Sequence, residues 1–530
     1  MTTHALRRRI TTIVSFLVLL TLLVSCSGPQ QVQPTPTGGQ PTVAGSAAPT
    51  KAPEPTGTLT ISQAQIVPRM DPYALTTNSH FSIYYSVWDP LSRVDEAGKL
   101  VNYLAESWQN ESPTSWIVKL KRGVKWHDGS PFTAKDVVFS VDRLRDPETK
   151  TIWTAVYSYV TGAEAIDDFT VRIKTKSLVV NVPQDFGRMQ MMPKDAYEKL
   201  GKDGFLANPI GTGPFRFVKM AAGQSITLEA NMDYHLGPPN VKTLIWKQVP
   251  DPATRVAELL SGASDIVIGL PPNEIARINS SPNAKVTAGG SVIRIIVNFA
   301  LATTPELKDP RVREAIIHAI DADAINRAVY DGKAGKQTGW LDKHSFGYNV
   351  ELKAYTYDPE RSKRLLAEAG FPSGMPLTVQ MRKGDFLFVD DVALAIVDYL
   401  KKVGFQVKFE QYENVAFTQM RTSMGYKGAY LLASRNSTGD PDQVLRAMDP
   451  KREDKYVLDT ELEKLIDAQA SEPDPTKRAA KIAATDKYIH DNFLAYNLMT
   501  VPALDGVNAR VSEFKQSPFD IYSVHQIGVK

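Results

Sequence analysis

Residues 120–140 have the sequence LKRGVKWHDGSPFTAKDVVFS, and this stretch is more informative about the fold than any other part of the chain. It follows residues 115–120, in which apolar side chains alternate as they do in a β-strand. The Asp-Gly pair at 128–129 indicates a tight turn. Thr133 and Asp136, three residues apart and just before an apolar run, form a capping-box pattern that marks the start of a helix. The stretch therefore predicts a strand, a turn and a helix in close succession.

The same alternation of strands and helices continues along the chain. Asp-Pro pairs at 251–252, 309–310 and 358–359 each precede an apolar stripe, and Asp at the N-cap with Pro at the first helical position is typical of a helix start. A further helix is predicted over 392–403. Other strands are predicted at 58–61, 170–175, 225–229, 243–248, 292–298, 377–381 and 406–410. Such strand–helix–strand units predict an α/β fold with mixed sheets.

Length and charge limit the architecture and the partners. A chain of 530 residues is too long for one core, since domains hold roughly 100–200 residues, so two or three lobes are expected. The formal charge of +3 comes from Arg7, Arg8 and Arg9, because 61 − 3 leaves 58 basic residues against 58 acidic ones. A neutral body has no field that would attract nucleic acid or an anionic membrane, so no nucleic-acid partner is predicted.

The N-terminus carries a secretion signal. Basic residues at 7–9 precede an apolar run at 10–24 that is too short for a transmembrane helix, and Leu23-Val24-Ser25-Cys26 resembles the bacterial lipobox. Residues 1–25 are therefore predicted to be a lipoprotein signal peptide, with Cys26 as the lipidation site. A buried cysteine behind an ordinary signal peptide is disfavoured because Cys26 is the only cysteine. Residues 26–57, rich in proline, are predicted to form a tether that holds the body outside the membrane.

Motifs for catalysis are missing from the sequence. The histidines show no two-His metal spacing, and neither a Gly-x-Ser-x-Gly elbow nor a phosphate-binding P-loop occurs. The single cysteine leaves no cysteine-based metal centre. The sequence therefore predicts no catalytic residue, no metal and no cofactor, and a protein that is not an enzyme.

Four stretches together resemble a known family. They follow one another in the family's order and span most of residues 58–530, and they are similar to the family 5 solute-binding proteins of bacterial ABC importers, which include dipeptide-, oligopeptide- and nickel-binding proteins. The stretches are residues 104–140, 209–215, 298–321 and 357–371.

Most residues of these stretches are expected to be scaffold. Trp116 and Trp126 are predicted to be core aromatics. Arg311 and Arg313 are predicted to tie a helix to neighbouring carboxylates. The resemblance thus says more about the architecture than about the ligand.

The resemblance implies a bilobal periplasmic-binding-protein fold, a clamshell with an extra subdomain. Its hinge would lie near Asn298 and Asn497. The implied divisions are lobe Ia at 58–95, 207–297 and 498–530, subdomain Ib at 96–206, and a second ligand-binding lobe at 298–497.

This architecture implies a monomeric binding protein that closes on a peptide-like or other small solute and presents it to an ABC-type permease. Two alternatives from other classes remain open: an extracellular sensor without transport, and a secreted hydrolase. A permease and an ATPase encoded beside this chain would favour import, and a catalytic serine or a metal in the cleft would favour the hydrolase.

Candidate ligand residues also follow from the resemblance. Arg382 ends a predicted strand and matches an arginine region that holds the ligand carboxylate in dipeptide-binding relatives. In the loop 433–442, Ser437 stands where peptide-binding relatives carry an aspartate for the ligand's α-amine, and Arg435 adds a positive charge. Asp440 could replace that aspartate, and Asn78 is a further candidate. The departure at Ser437 predicts poor binding of free-amine peptides and a preference for a neutral, anionic or blocked ligand.

Overall fold

The computed structural model describes residues 54–73, 78–95, 99–149, 151, 153–343, 345–434, 440–451, 456–516 and 521–530. The predicted signal peptide, Cys26, nearly all of the tether, Arg435 and Ser437 lie outside this described part. None of the described helices has the length and the apolar sequence that a bilayer-spanning segment requires.

The strands occur in both halves of the chain. They are β1 Thr58–Gln63, β2 Ser92–Val94, β3 Leu100–Asn102, β4 Ala105–Ser112, β5 Ser115–Leu120, β6 Val160–Asp167, β7 Thr170–Thr175, β8 Phe215–Ala221, β9 Ser225–Ala230, β10 Thr243–Gln248, β11 Ile266–Ile268, β12 Ala284–Phe299, β13 Gly335–Lys336, β14 Met375–Arg382, β15 Phe405–Tyr412, β16 Ala429–Ser434, β17 Ala495–Asn508, β18 Val511–Ser512 and β19 Gly528–Val529. Each strand predicted from alternating apolar residues is present.

The helices separate these strands. They are α1 Asn78–Val87, α2 Ala134–Arg145, α3 Trp153–Val156, α4 Val182–Asp185, α5 Lys194–Ala207, α6 Pro252–Ser261, α7 Ile275–Asn279, α8 Pro310–Ala319, α9 Ala322–Tyr330, α10 Pro359–Glu368, α11 Val389–Lys402, α12 Asn414–Thr422, α13 Asp442–Arg446, α14 Thr460–Ala470 and α15 Pro475–Asp491.

The capping residues predicted from the sequence lie at the N-termini of these helices. Thr133 and Asp136 form the predicted capping box of α2. Asp251, Asp309 and Asp358 each accept a hydrogen bond from a backbone N–H in the first turn of α6, α8 and α10. These bonds satisfy N–H groups that have no partner within the helix, so the helix starts are set locally.

One mixed sheet of eleven strands runs through the described part of the chain in the order β15-β14-β16-β12-β17-β11-β1-β10-β9-β8, with β13 paired to β17. β1 is parallel to β10 and β11, and β14 is parallel to β15 and β16. The other pairs are antiparallel. A separate four-stranded antiparallel sheet has the order β4-β5-β7-β6.

Two large hydrophobic cores divide this architecture into two lobes. The first core collects buried residues from 59–268 and 522–527, and we call the elements packed around it lobe 1. The second core collects residues from 295–501, and its elements form lobe 2. The four-stranded sheet packs into the first core together with α2 and the strands β1, β9 and β10, so it belongs to lobe 1.

Two long strands, β12 and β17, connect the lobes. Residues 284–288 of β12 pair with 504–508 of β17 on the side of β11, and residues 292–298 pair with 495–502 on the side of β16. The ladder is irregular between 288 and 292. The strands therefore pass from one lobe to the other N-terminal to Asn298 and C-terminal to Asn497.

Candidate functional site

Strand β14 ends beside the end of β16, and this juxtaposition places Arg382. The Arg382 guanidinium forms an ion pair with Asp385. The second carboxylate oxygen of Asp385 accepts a hydrogen bond from the backbone N–H of Ala433 at 2.7 Å. Burial lowers the pKa of Arg382. The arginine predicted from the sequence thus lies next to the start of the predicted loop 433–442, where it is paired with an acid.

The other end of that loop is fixed by a buried ion pair. Arg478 of α15 donates two hydrogen bonds to the Asp440 carboxylate, each 2.6 Å long. Both side chains are less than a tenth exposed. Bidentate guanidinium–carboxylate pairs form some of the strongest charge-assisted hydrogen bonds in proteins. The carboxylate that the sequence offered as a partner for a ligand's ammonium is therefore held by Arg478 in this structure.

The remaining sequence candidates are placed less fully. Asn78 is the first residue of α1, and the structure describes its backbone but not its side chain. Arg435 and Ser437 belong to residues 435–439, which lie outside the described part and connect β16 to Asp440. The structure thus brings Arg382 and Asp440 to the two ends of one short segment.

The two lobes touch at the C-terminal side of that segment. Asn181 of lobe 1 donates a hydrogen bond from Nδ2 to Asp442 Oδ2 of lobe 2 at 3.4 Å. The backbone N–H of Val180 donates to the carbonyl of Ala470 at 3.4 Å. Asn181 and Asp442 are both almost completely buried. This contact joins the two lobes through residues far apart in the sequence.

Ionisable groups concentrate around this contact, and we call them the interlobe cluster. On the lobe 1 side, Asp185 accepts hydrogen bonds from Tyr159 at 2.7 Å and from Asn181 at 3.2 Å. On the lobe 2 side, Asp442 accepts from Arg446 at 2.6 Å and also from Gln469. Burying charged groups is costly unless they are paired and hydrogen-bonded. Contact between the lobes therefore depends on the pairing of these acids and guanidinium groups.

Burial raises the pKa of Asp185 to about 6, against the lowering influence of Arg188 and of the hydrogen bond from Tyr159, and Asp442 and Asp440 raise it further. The groups that face Asp185 are Tyr157, Tyr159 and Arg188 in lobe 1 and Asp440, Asp442, Arg446 and Arg478 in lobe 2. A carboxyl whose pKa is higher in the folded protein than in the unfolded chain weakens the fold once it must ionise.

We therefore expect Asp185 to give the wild type a pH-dependent loss of stability that Asp185→Asn lacks. The pKa of the carboxyl is near 3.8 in the unfolded chain and about 6 in the folded protein, so Asp185 costs no stability below this pH window and its full cost is reached above it. The wild-type minus variant free energy of unfolding should fall by about 3 kcal/mol at most as pH rises from 4 to 7. Urea titrations at several pH values measure it, and a difference that does not change with pH would contradict the assignment.

The chemistry of the site is that of binding and enclosure. Among the described residues, no group of three or more His, Cys, Asp and Glu side chains could hold a metal ion. The buried acids of the interlobe cluster pair with arginines or amides, which suits closure over a solute. Two lobes joined by two strands, with a buried contact between them, are an arrangement that suits binding of a small ligand between the lobes.

Sequence reasoning did not identify Asn181, Asp185, Asp442 or Arg478. Their partners lie far away along the chain, for example Asn181 and Asp442, so no local spacing pointed to them. One signal was available for another residue: Arg294 stands among the apolar residues of 292–297, where a charge in a buried strand is unusual.

Comparisons with known proteins agree with this class. Residues 99–456 match the family described as bacterial extracellular solute-binding proteins, family 5. A Brucella ovis protein named as an ABC transporter peptide-binding protein is 29% identical over 467 residues, covering 84% of this chain and 87% of its own. The glutathione-binding protein of Pectobacterium atrosepticum is 30% identical over 316 residues, covering 58% and 60% of the two chains.

Solved structures show the same fold. The Helicobacter pylori periplasmic binding protein DppA, in complex with the peptide STSA, aligns with a TM-score of 0.81 at 23% identity, covering 89% of this chain and 98% of its own. The binding protein MoaA of A. tumefaciens R10, in complex with mannopinic acid, aligns with a TM-score of 0.75 at 25% identity, covering 90% and 100%.

The chain belongs to the family 5 extracellular solute-binding proteins, and its fold is the two-lobed clamshell that the sequence predicted. It is a substrate-binding protein that delivers its ligand to an ABC permease, and it is not an enzyme.

Proposed function

We propose that this protein captures a neutral, anionic or N-blocked small solute outside the membrane for import. The observation that carries the proposal is the state of Asp440, the acid that could have met a ligand ammonium beside Ser437: its carboxylate is paired with Arg478 and buried. Of the other charges near the segment, Arg435 is a cation, Arg382 is paired with Asp385, and Asp442 is bonded to Arg446 and Gln469. An ammonium group enclosed there without a free carboxylate would be strongly disfavoured.

The test is to identify the bound solute directly. Native mass spectrometry of gently purified protein should detect a co-purifying solute with no free amine or with net negative charge. Titration calorimetry then measures the affinities of three probes drawn from the relatives: glutathione, the tetrapeptide STSA and mannopinic acid. A co-purifying mixture of free-amine peptides would overturn the proposed ligand class.

We expect the unmodified STSA peptide to bind no more tightly than its N-acetylated form. Removing the ammonium charge avoids its desolvation in a site where the Asp385 and Asp440 carboxylates are already paired with arginines, so acetylation should leave the affinity unchanged or raise it. Calorimetry with both peptides makes the comparison under identical conditions. Micromolar binding that disappears on N-acetylation would contradict this expectation.

The lobe boundaries and the hinge also belong to the proposal. We place the hinge at residues 288–292 and 502–504, where β12 and β17 pass between the neighbours of lobe 1 and those of lobe 2, rather than at Asn298 and Asn497. The division into lobe Ia, subdomain Ib and a second lobe is retained, with the boundaries between lobe Ia and the second lobe moved to these hinge residues. The four-stranded sheet, which falls within 96–206, supports the separate subdomain. The protein is proposed to act as a monomer.

Lipid anchoring through Cys26 gives a direct prediction. Cys26→Ser should release the protein from the membrane fraction, because the thiol sulfur would carry the diacylglyceryl group, whose acyl chains supply about 0.8 kcal/mol per buried methylene. Membrane fractionation with immunodetection measures the change, and Ser25→Ala serves as a neighbouring control that should stay membrane-bound. Equal membrane retention of the Cys26→Ser protein would disprove the anchor.

A further inference from the structure

Asn181 lies at the contact between the lobes and bonds an acid on each side of it. Its Nδ2 atom donates to Asp185 Oδ2 in lobe 1 at 3.2 Å and to Asp442 Oδ2 in lobe 2 at 3.4 Å. All three side chains belong to buried residues. One amide nitrogen therefore bridges two buried carboxylates that belong to different lobes.

The oxygen of the same amide is not satisfied. Asn181 Oδ1 is buried and accepts no hydrogen bond from the described residues. Leucine has a similar shape and would leave no polar atom unsatisfied, whereas a buried acceptor without a partner lowers stability. The stability of lobe 1 alone therefore does not explain an asparagine at this position. The bridge between the lobes does use its amide N–H groups.

The acids around this bridge differ in how closely a cation approaches them. Arg188 Nη2 lies 3.8 Å from Asp185 Oδ1. The two acids on the lobe 2 side each have an arginine nitrogen at 2.6 Å, in the pairs Asp442–Arg446 and Asp440–Arg478. Asp185 thus has the most distant cation of the three. Its negative charge is the most costly of the three to keep in the buried contact.

Lobe 2 forms part of the surroundings of Asp185. From lobe 1, the Tyr159 hydroxyl donates to its carboxylate at 2.7 Å, and Tyr157 and Arg188 also face it. The charged groups that face it from lobe 2 are Asp440, Asp442, Arg446 and Arg478. Burial, the largest influence, raises the pKa of Asp185 to about 6, and the two lobe 2 acids add to this rise. Separating the lobes would return water to this carboxylate and let it ionise more easily.

We propose that Asn181, Asp185 and Asp442 form an interlobe latch, which holds the lobes together while Asp185 is protonated and loosens as Asp185 ionises. Asn181 is a positioning residue, since it acts on ligand binding through the contact between the lobes. With the lobes apart, Asp185 should ionise near its ordinary pKa of 3.8, and with the lobes in contact near 6. Contact therefore becomes less favourable as pH rises through this window. The inference rests on the proposed function only where it concerns ligand affinity.

The backbone amide of Val180 reports the contact directly. It donates to the carbonyl of Ala470 in lobe 2 at 3.4 Å, so this bond protects it from hydrogen exchange only while the lobes touch. Hydrogen–deuterium exchange of the full folded chain at pH 5 and pH 7, corrected for the intrinsic pH dependence of amide exchange, gives a protection factor at each pH. In the wild type, the protection of Val180 should fall about fivefold to tenfold between pH 5 and pH 7.

Three variants separate the latch from general stability. Asn181→Leu removes both bonds of the bridge and should lower the protection of Val180 about fivefold at pH 5. Asp185→Asn keeps a neutral side chain at every pH, so its protection of Val180 should be equal at pH 5 and pH 7. Gln190→Met is the matched control, because Gln190 is a buried amide of lobe 1 whose side chain has no hydrogen-bond partner among the described residues. It should keep the wild-type protection and pH dependence.

Two results would overturn the latch. One is wild-type protection of Val180 in Asn181→Leu, or an equal loss in Gln190→Met. The other is a wild-type pH dependence in Asp185→Asn, which would assign the titration to another group. If Asn181→Leu does not fold, the pH dependence in Asp185→Asn decides by itself.

Affinity for glutathione, used as the probe, tests whether the latch acts on ligand binding. Asn181→Leu should bind it about fivefold more weakly than the wild type at pH 5, because a ligand between the lobes gains from their contact. Wild-type affinity should fall between pH 5 and pH 7, and that of Asp185→Asn should change less. Wild-type affinity in Asn181→Leu would overturn the functional part of the proposal. If glutathione does not bind the wild type, that probe fails for the proposed function, and the exchange of Val180 still decides on the latch.

Discussion

Replacing Arg478 with methionine is expected to lower the free energy of unfolding by about 3–5 kcal/mol. Arg478 donates two hydrogen bonds of 2.6 Å to Asp440, and both groups are buried. Without the guanidinium, the buried Asp440 carboxylate would lose its cation and two hydrogen bonds, although it keeps the bond from the Asp442 backbone N–H, and removing one partner of a buried ion pair is among the most costly single defects. Equilibrium urea unfolding of the two proteins measures the difference.

A double variant and a control at an exposed ion pair test whether the loss of stability comes from the buried Asp440–Arg478 pair. Asp440→Asn added to Arg478→Met removes the stranded charge, so the double variant should be more stable than Arg478→Met alone. Lys464 and Glu461 form an ion pair on the surface, with side chains 73% and 52% exposed. Lys464→Met should therefore change stability by less than about 1 kcal/mol. A loss below 1 kcal/mol in Arg478→Met would show that the Asp440 pair contributes no more than a surface pair.

The second large effect is expected at Gly211, where the connector of residues 209–215 meets the end of α1. A Cβ on Gly211 would lie 1.8 Å from the carbonyl oxygen of Val87. That oxygen cannot turn away easily, because it accepts a hydrogen bond from the backbone N–H of Gly213 at 2.8 Å. Gly211→Ala should therefore cost about 4 kcal/mol or more, or prevent folding, because two backbone segments would have to separate.

Gly204 provides a control of opposite sign. It lies within helix α5, and an added Cβ would make an ordinary 3.4 Å contact with Leu200 Cβ. Gly204→Ala should stabilise the protein by about 0.5–1 kcal/mol, because alanine loses less backbone entropy in a helix. Thermal and urea unfolding of both variants test the pair, and a Gly211→Ala protein as stable as Gly204→Ala would refute the close approach.

Local signals in the sequence were reliable because their physical causes are local. The side chains of Asp251, Asp309 and Asp358 bond backbone N–H groups two or three residues away, and the predicted helices begin there. Gly370 follows the last residues of α10 with a φ of 95°, as a glycine after a helix C-terminus should. These interactions need no knowledge of the remaining chain.

Arg311 and Arg313 show where local reasoning ends. Both were expected to meet carboxylates. Arg311 does pair with Asp309, two residues away in the sequence. The prediction for Arg313 is wrong: its guanidinium donates to four carbonyls, two of them at residues 492 and 493. A buried guanidinium bonds the acceptors that the packing leaves unpaired, and two of these four come from a distant turn.

The candidate site, too, could be predicted only in part from the sequence. The motifs of the sequence led to the family, and the resemblance to that family led to the region of Arg382 and Asp440. They did not reveal that Arg382 pairs with Asp385 or that Arg478 holds Asp440. Asp440 and Arg478 lie on different elements, so their pairing depends on how α15 packs against the chain before α13.

The positions of helices and strands could be predicted from the amino-acid sequence, since propensity, caps and periodicity act over a few residues, and the resemblance to the family implied the two-lobed architecture. Which charges become buried and which partners they meet was visible only in the folded structure. The bond of Arg294 to Ser434 and that of Asn181 to Asp442 join residues more than a hundred positions apart. The physical reason is that burial and hydrogen-bond pairing depend on the three-dimensional neighbours of each group, which the packing of both lobes fixes together.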